Sequence, residues 1–410
     1  MEGDSNVALH ICDEGHPPEA PRRGGQRRQM SDNSAPTKTI SDFEAKLNEA
    51  DKTVASFEDN NLSALQRARG YLRANPTAIP AIILVVSILV FGLIAKNFMS
   101  AGTLSLILKQ VTVTGIIAIA QTIIILTAGI DLSVGAMLVI CAMVAARWAT
   151  IGAPGLSALF NWLGMEGMAG FFAQPFPFYF VVLLAIVIGT VMGTVNGLLV
   201  TKARIPPFIA TLGTFFAFNA LKLWYTGSES VRAIDLEQTA PGLLWFGNGF
   251  EILGAKFIYG SIALLLLAAL AWYMLSRTPW GRHVHAVGDD MDAAMLTGIQ
   301  TERTLVSVYA LAGLICGFCG WVAIGRVGSM SPIAFENINL DSITAVVIGG
   351  TSLFGGRASI AGSVLGAIIV GVFNTGLSLA GVDSYWQMFA SGCLIIVAVA
   401  FDQWLRRASQ

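Results

Sequence analysis

The chain alternates long apolar runs with short polar connections, and the runs are apolar on every side rather than along one face. A helix crossing the ~30 Å hydrocarbon core of a bilayer needs about 20 such residues. Ten segments qualify, two of them short or broken: 77–98, 106–127, 132–150, 178–200, 208–225, 257–275, 305–324, 343–350 with its flanks, 360–379 and 388–401. The pattern predicts an all-α, polytopic membrane protein of about ten transmembrane helices, with a membrane domain over 77–405. Residues 1–76 read differently. Over 1–39 they are charged, carry Pro and Gly and lack periodicity, so disorder is expected. Over about 40–70 an amphipathic helix is expected, because Ile40, Phe43, Leu47, Ala50, Val54 and Phe57 fall on one stripe. That stripe suits first a helix lying on a membrane or protein surface, with a coiled-coil or partner-docking helix as the alternative. Met30 is an alternative start. No secretory signal is expected, since the first apolar run begins beyond residue 75, and the arginines of 22–28 precede no apolar run.

Composition sharpens this division. Of 410 residues 12% are charged, and 22 of those 51 charges lie in residues 1–76. The 29 left among the other 334 residues cannot cover a water-facing surface. A soluble enzyme, a wholly disordered protein and a nucleic-acid binder acting by bulk charge are excluded, the last also by a net charge of −1. Five cysteines at irregular positions give no disulfide framework.

The few charges assign sides. Arg67, Arg69, Arg73, Lys202, Arg204, Arg277, Arg282, Arg303, Arg357, Arg406 and Arg407 fall on one side, which the positive-inside rule makes cytoplasmic. The other side holds scattered basic residues and loops with Glu166, Glu229, Asp235, Glu237 and Glu251. Both termini are then cytoplasmic, and the number of spans is even. Loop 151–177, with Trp162, Phe171, Phe172, Phe176 and Phe178, suits an interfacial helix or a docking surface.

An internal repeat accompanies the spans. Gly193-Thr-Val-Asn196 in the fourth resembles Gly371-Val-Phe-Asn374 in the ninth, and Asp131-Leu-Ser133 before the third resembles Leu340-Asp341-Ser342 at the eighth. Halves of five spans each must be inverted relative to one another, a plan common among transporters. Asp131 and Asp341 are each expected either to cap a short helix or to line a path through the membrane. Gln121, Asn196, Asn219 and Asn374 join them as pathway candidates, because amides and hydroxyls within spans must find partners or face water. Gln110, Thr112, Thr114, Thr211 and Thr214 extend the polar set. Such groups suit an uncharged polyhydroxy substrate, and no Asp/Glu/His relay for protons is evident.

Other chemistry is missing. There is no nucleotide-binding G-x-x-x-x-G-K-[ST] and no H-E-x-x-H. No catalytic group, metal site or cofactor is expected. The glycine-rich 349–356 lacks a following lysine and reads as a flexible hairpin; Cys316 and Cys319 read as packing residues, and His283 and His285 as solvated. Gly189/Gly193/Gly197, Gly313/Gly317 and Gly362/Gly366 are small-residue stripes at which helices approach closely.

The most informative loop is 277–303. Asp292-Ala293-Ala294-Met-Leu-Thr-Gly298 is a helix-forming run with Asp289, Asp290 and Asp292 at the end where acidic groups are favoured and a glycine to stop it. A short helix parallel to the membrane is a lever that a cytoplasmic protein can push. Together with Ala-Gly-Ile-Asp-Leu-Ser-Val-Gly at 128–135, Trp-Gly-Arg…Ala-Val-Gly…Asp-Ala-Ala…Thr-Gly-Ile at 280–299 and Val-Ile-Gly-Gly-Thr-Ser-Leu-Phe-Gly-Gly at 347–356, it resembles the permease subunit of ABC-type monosaccharide importers, such as those for ribose, xylose and fructose. The resemblance covers about residues 77–405. It implies a permease homodimer in a bacterial inner membrane, in contact with lipid, and without nucleic acid. It also implies a separate cytoplasmic ABC ATPase subunit, a periplasmic sugar-binding protein and alternating access. The coupling helix falls at about 288–298, with Gly288, Asp292, Ala293, Ala294 and Gly298 at the ATPase contact. Asp289-Asp290 and Asp292 depart mildly from the family pattern, and the 76-residue tail is longer than usual. A branched-chain amino acid permease of the same superfamily and an ion-coupled secondary transporter are the rival readings; a membrane enzyme has no clustered chemistry to support it.

Overall fold

A computed structural model describes residues 77–407; the expected disordered segment and amphipathic helix of the tail lie outside them. Each of the ten apolar segments is a helix. In chain order these are α1 (Ala78–Ile94), α2 (Ala101–Leu126), α3 (Val134–Thr150), α6 (Phe178–Thr201), α7 (Pro207–Thr226), α9 (Tyr259–Arg277), α12 (Thr301–Val327), α13 (Ile338–Ile348), α14 (Ile360–Leu379) and α15 (Ser384–Arg407). Shorter helices α4 (Pro154–Trp162), α5 (Glu166–Phe172), α8 (Ala233–Thr239), α10 (Pro279–Asp289) and α11 (Met291–Leu296) lie between them. The boundaries follow local chemistry. Ser100 caps α2 by accepting from Thr103 N–H, Ser359 caps α14 by accepting from Gly362 N–H, and Pro206-Pro207 starts α7 where no N–H is needed.

Not all ten are full spans. Among the described residues, α2, α6, α9, α12 and α14 are long and apolar enough to cross a membrane alone, and α3 reaches that length only together with α4, across a bend of 67° that fits a broken span or a re-entrant loop. α13 has 11 residues, so it rises only about 16 Å, roughly half the hydrocarbon core. The expected eighth span is thus a half-length helix. α7 has length enough, but Thr211, Thr214, Asn219 and Lys222 dilute its apolarity.

Two connections add detail. Residues Gly249–Ile252 (β1) and Ala255–Ile258 (β2) pair antiparallel across a Leu253-Gly254 turn, in which both residues have positive φ as a two-residue hairpin turn requires. Segment 151–177 forms a helical hairpin, α4 and α5, closed by Ala153 N–H donating to Phe172 O (2.7 Å) and by the stacked rings of Phe160 and Phe172. Its outer face leaves Trp162 81% exposed.

The repeat reappears in who packs against whom. α6 lies on α12, and α14 lies on α2; α3 contacts α12, α6 and α7, while α13 contacts α2, α14 and α15. Exchanging α2 with α12, α3 with α13, α6 with α14 and α7 with α15 maps one set of pairs onto the other. α1 and α9 break the correspondence, since α1 packs on α14 and α9 on α2.

α6 crosses α12 closely, and glycine makes that possible. A Cβ on Gly193 would fall on Tyr309 O and against Gly313, and one on Gly313 would fall on Gly189 O. In a lipid environment, where burial of apolar surface gives helices little reason to associate, such backbone proximity and dispersion hold them together. Cys316 and Cys319 are buried in the same helix as small packing residues, Cys319 Sγ reaching Val113 O at 3.7 Å.

This crossing yields a test. Gly193→Ala should lower the thermal unfolding midpoint of the detergent-purified protein, at a cost of at least about 1–3 kcal/mol for overpacking against backbone. Gly213→Ala on α7, where a Cβ meets nothing within 4 Å, should leave the midpoint unchanged or raise it.

Candidate functional site

The chain leaves helical conformation between α2 and α3, and the polar candidates gather there. Asp131 and Ser133 are fully buried. Asp131 Oδ1 accepts from Ser133 N–H (2.7 Å) and from Ser133 Oγ–H (2.7 Å), turning the chain into α3. Asn196 of α6 donates from Nδ2 to Asp131 Oδ2 (3.1 Å) and to Ser133 Oγ (2.8 Å). Backbone carbonyls of the break are taken up in turn by side chains of three other helices. Thr211 Oγ1 of α7 donates to Ile130 O (2.9 Å), Gln121 Nε2 of α2 to Asp131 O (3.1 Å), and Asn339 Nδ2 of α13 to Leu132 O (3.2 Å). Irregular backbone inside a membrane protein persists only where protein supplies such partners.

Gln121, Asp131 and Asn196 are therefore brought together in one node. The other three candidates are elsewhere. Asn219 donates from Nδ2 to Phe215 O of its own helix (2.8 Å). Asp341 lies inside the first turn of α13, with Asn337 at the N-cap position, so of its two expected roles capping is excluded. Asn374 accepts from Ser391 Oγ–H (3.4 Å). Packing thus repeats between the halves, whereas polar chemistry does not. Sequence reading missed Ser133 and Asn339 as members of the node. Asn339 lies two residues before Asp341, where spacing could have flagged it.

Four buried polar atoms of this region find no partner among the described residues: Gln121 Oε1, Asn196 Oδ1, Asn339 Oδ1 and Tyr309 Oη. Tyr309 of α12 stands beside Gly129, where an added Cβ would lie 2.8 Å from its hydroxyl. Both residues also line a cavity of about 440 Å³ that extends to Met291 and Met295 of α11.

Loop 277–303 is two helices rather than the one expected. α10 is capped by Thr278, whose Oγ1 accepts from Gly281 N–H (3.2 Å). α11 is capped by Asp290, whose Oδ1 accepts from Asp292 and Ala293 N–H, both at 2.9 Å. Gly298 ends α11 at φ 87°, a left-handed conformation that costs a side-chain-bearing residue about 1–2 kcal/mol. Gly288 belongs to α10, not to the short helix, and a Cβ there would fall on Leu126 O at the end of α2. Ala294 is buried against Val287 and Leu305, which fixes α11 to the base of α12. Asp292 and Ala293 are exposed, as are Met291, Met295 and Leu296, the last at 87%. His283 is exposed, but His285 is half-buried, and burial holds its imidazole below the usual pKa. The glycine-rich 349–356, expected to be flexible, is tied in: Gly356 N–H donates to Leu126 O (3.0 Å). Among the described residues no three His, Cys, Asp or Glu side chains are grouped to hold a metal.

α10 and α11 thus lie at the ends of α2 and α12, Gly288 against Leu126 and Ala294 against Leu305. The family described as branched-chain amino acid transport system, permease component, matches residues 103–399. The chain belongs to this permease family. Similar to it is a fructose import permease protein of Rhizobium meliloti, 43% identical over 93% of this chain and 100% of that protein. A ribose import permease protein of Escherichia coli K12 is 36% identical over 78% of this chain and 92% of the relative. A galactose/methyl galactoside import permease protein of the same strain is 32% identical over 78% and 91%. No solved structure matches.

In this permease the node makes a measurable demand. Asn196→Leu removes the donor to Asp131 Oδ2 and should lower stability by about 1–3 kcal/mol, the cost of a buried group left unmatched. Asn196→Asp should be worse, because it sets a second carboxyl against the first. Unfolding midpoints and yields of monodisperse protein read both; an Asn196→Asp protein as stable as the parent would contradict the node.

Proposed function

We propose that this permease forms the membrane pathway of an ATP-driven importer that carries a monosaccharide across a bacterial inner membrane by alternating access. The observation that carries the reading is the likeness over nearly the whole chain to import permeases named for fructose, ribose and galactose. An interior rich in amides and hydroxyls suits an uncharged polyol, which exchanges hydrogen bonds without bringing charge. Membership of an import-permease family supports a separate ATPase subunit and a substrate-binding protein as partners, the first cytoplasmic and the second periplasmic. Within the reading, two copies of the chain form the transporter, both termini are cytoplasmic, and lipid surrounds the bundle.

Coupling falls to α11. Its exposed Met291, Met295 and Leu296 suit an apolar cleft on the ATPase, with Asp292, Ala293 and Gly298 at the contact. Gly288 and Ala294 act from behind, as the packing that makes the helix stiff. Gln121, Asp131 and Asn196 serve the pathway as its scaffold, and Asn219 and Asp341 are the partly open polar groups that remain candidates for its lining.

The family's own description favours a second reading, a branched-chain amino acid as cargo. Uptake of labelled fructose, ribose, galactose and leucine, in cells lacking their own permeases and expressing this chain with the ATPase and binding protein encoded beside it, separates the two. Sugar uptake that persists with an uncoupler while ATP is maintained is expected; leucine uptake alone would overturn the sugar reading, and uptake without the ATPase subunit would overturn the importer.

Leu296→Asp and Gly298→Val should each reduce uptake by about tenfold or more, as for loss of an interface anchor; membrane insertion and the unfolding midpoint stay near the parent's for Leu296→Asp, whereas Gly298→Val lowers the midpoint through strain at its left-handed φ. Undiminished uptake in both variants would remove α11 from the coupling role.

A further inference from the structure

A second cavity, of about 380 Å³, lies at the end of the bundle opposite α11. Its walls include Lys109 and Gln110 of α2, Arg326 of α12 and Asn374 and Ser378 of α14. Lys109 stands 17 residues before Leu126, so helix geometry sets it about 25 Å from the α11 end.

The wall is cationic and donor-rich. Neither Lys109 nor Arg326 has a carboxylate within salt-bridge distance among the described residues, and Arg326 lies partly buried over the Phe335 ring, 5.5 Å from its centroid. The amide oxygens are already used. Thr375 Oγ1 donates to Gln110 Oε1 (3.4 Å) and Ser391 Oγ to Asn374 Oδ1 (3.4 Å), and neither NH₂ end has an acceptor among the described residues. Two positive groups and two free amide donors face one space. Partly buried charges without partners are costly, and the ligand that relieves them must carry negative charge and several acceptors. A neutral sugar would use the donors but leave both cations unpaired. Leu106, an exposed apolar side chain, lines the same cavity with Gln387 of α15, and Gln387 follows the exposed Trp386 in the chain.

We propose that this cavity binds the phosphodiester headgroup of an anionic phospholipid. Its phosphate pairs with Lys109 and Arg326, its oxygens accept from Gln110 and Asn374, and its acyl chains lie along Leu106 and the start of α15. The site is independent of the transported substrate.

The test uses the full chain, purified and delipidated in detergent, and reads the thermal unfolding midpoint as phosphatidylglycerol, phosphatidylcholine or inorganic phosphate is added. Phosphatidylglycerol should raise the midpoint, and the other two should not. Because Arg326 also packs on Phe335, the variants are Lys109→Gln and Asn374→Asp, each compared with its own lipid-free midpoint. Each should need about tenfold more phosphatidylglycerol for half the effect, the loss expected for one charge-assisted contact. An equal rise with phosphatidylcholine would overturn the headgroup charge as the cause. An equal rise with inorganic phosphate would reassign the cavity to a soluble anion, and an unchanged response in both variants would remove the lipid from this site.

Discussion

The break between α2 and α3 sets the terms for the rest of the bundle. A chain that abandons helical hydrogen bonding inside a membrane protein exposes carbonyls that water cannot reach. Here Ile130, Asp131 and Leu132 each surrender a carbonyl to a side chain of a different helix, Thr211, Gln121 and Asn339. Asp131 is then held by Ser133 and Asn196. Four helices besides α3 are pinned to one another through a few atoms of irregular backbone. Removing any donor would leave a buried acceptor unmatched, and the cost of an unmatched polar group exceeds the gain from a matched one.

Around that node the packing is of another kind. α6 and α12 touch backbone to backbone across Gly189, Gly193 and Gly313, with no room for a β-carbon. α12 begins beside α11, where Leu305 contacts Ala294, and one turn later Tyr309 stands beside Gly129 at the break. A displacement of α11 therefore meets a stiff rod locked to α6, rather than a deformable contact. The proposed lever and the polar node are joined by that rod. The partner-free atoms Gln121 Oε1, Asn196 Oδ1 and Tyr309 Oη lie at its side, where polar groups have capacity left to exchange bonds when helices shift.

Some of this was legible in the chain. The ten apolar segments became ten helices, because hydrocarbon permits an apolar run of that length little besides a helix. The stripes at Gly189, Gly193 and Gly197 named a close crossing, although not its partner. The acidic run Asp289, Asp290 and Asp292 and the stop at Gly298 marked the ends of the short helix, because both signals are local; that Asp290 is the capping residue came from the structure. Other features escaped. The eighth segment was already short in sequence, yet its apolar flanks let it count as a span, where the structure gives an 11-residue helix. The seat of α10 on the end of α2, where Gly288 meets Leu126, joins residues distant in the chain. Asp131 and Asp341 look alike in sequence, yet one closes a turn and the other sits within a helix.

The sequence by itself determined the membrane class, the helical segments, the short capped helix and the repeat, since each follows from periodicity or from chemistry within a few residues. Tertiary structure alone decided which polar residues meet. Asn196 reaches Asp131 across 65 positions and Asn339 reaches Leu132 across 207, and no spacing rule fixes such pairs. Hydrogen bonds act over about 3 Å, so a donor's partner is set by how whole helices dock. That docking is decided by the small-residue contacts of the assembled bundle.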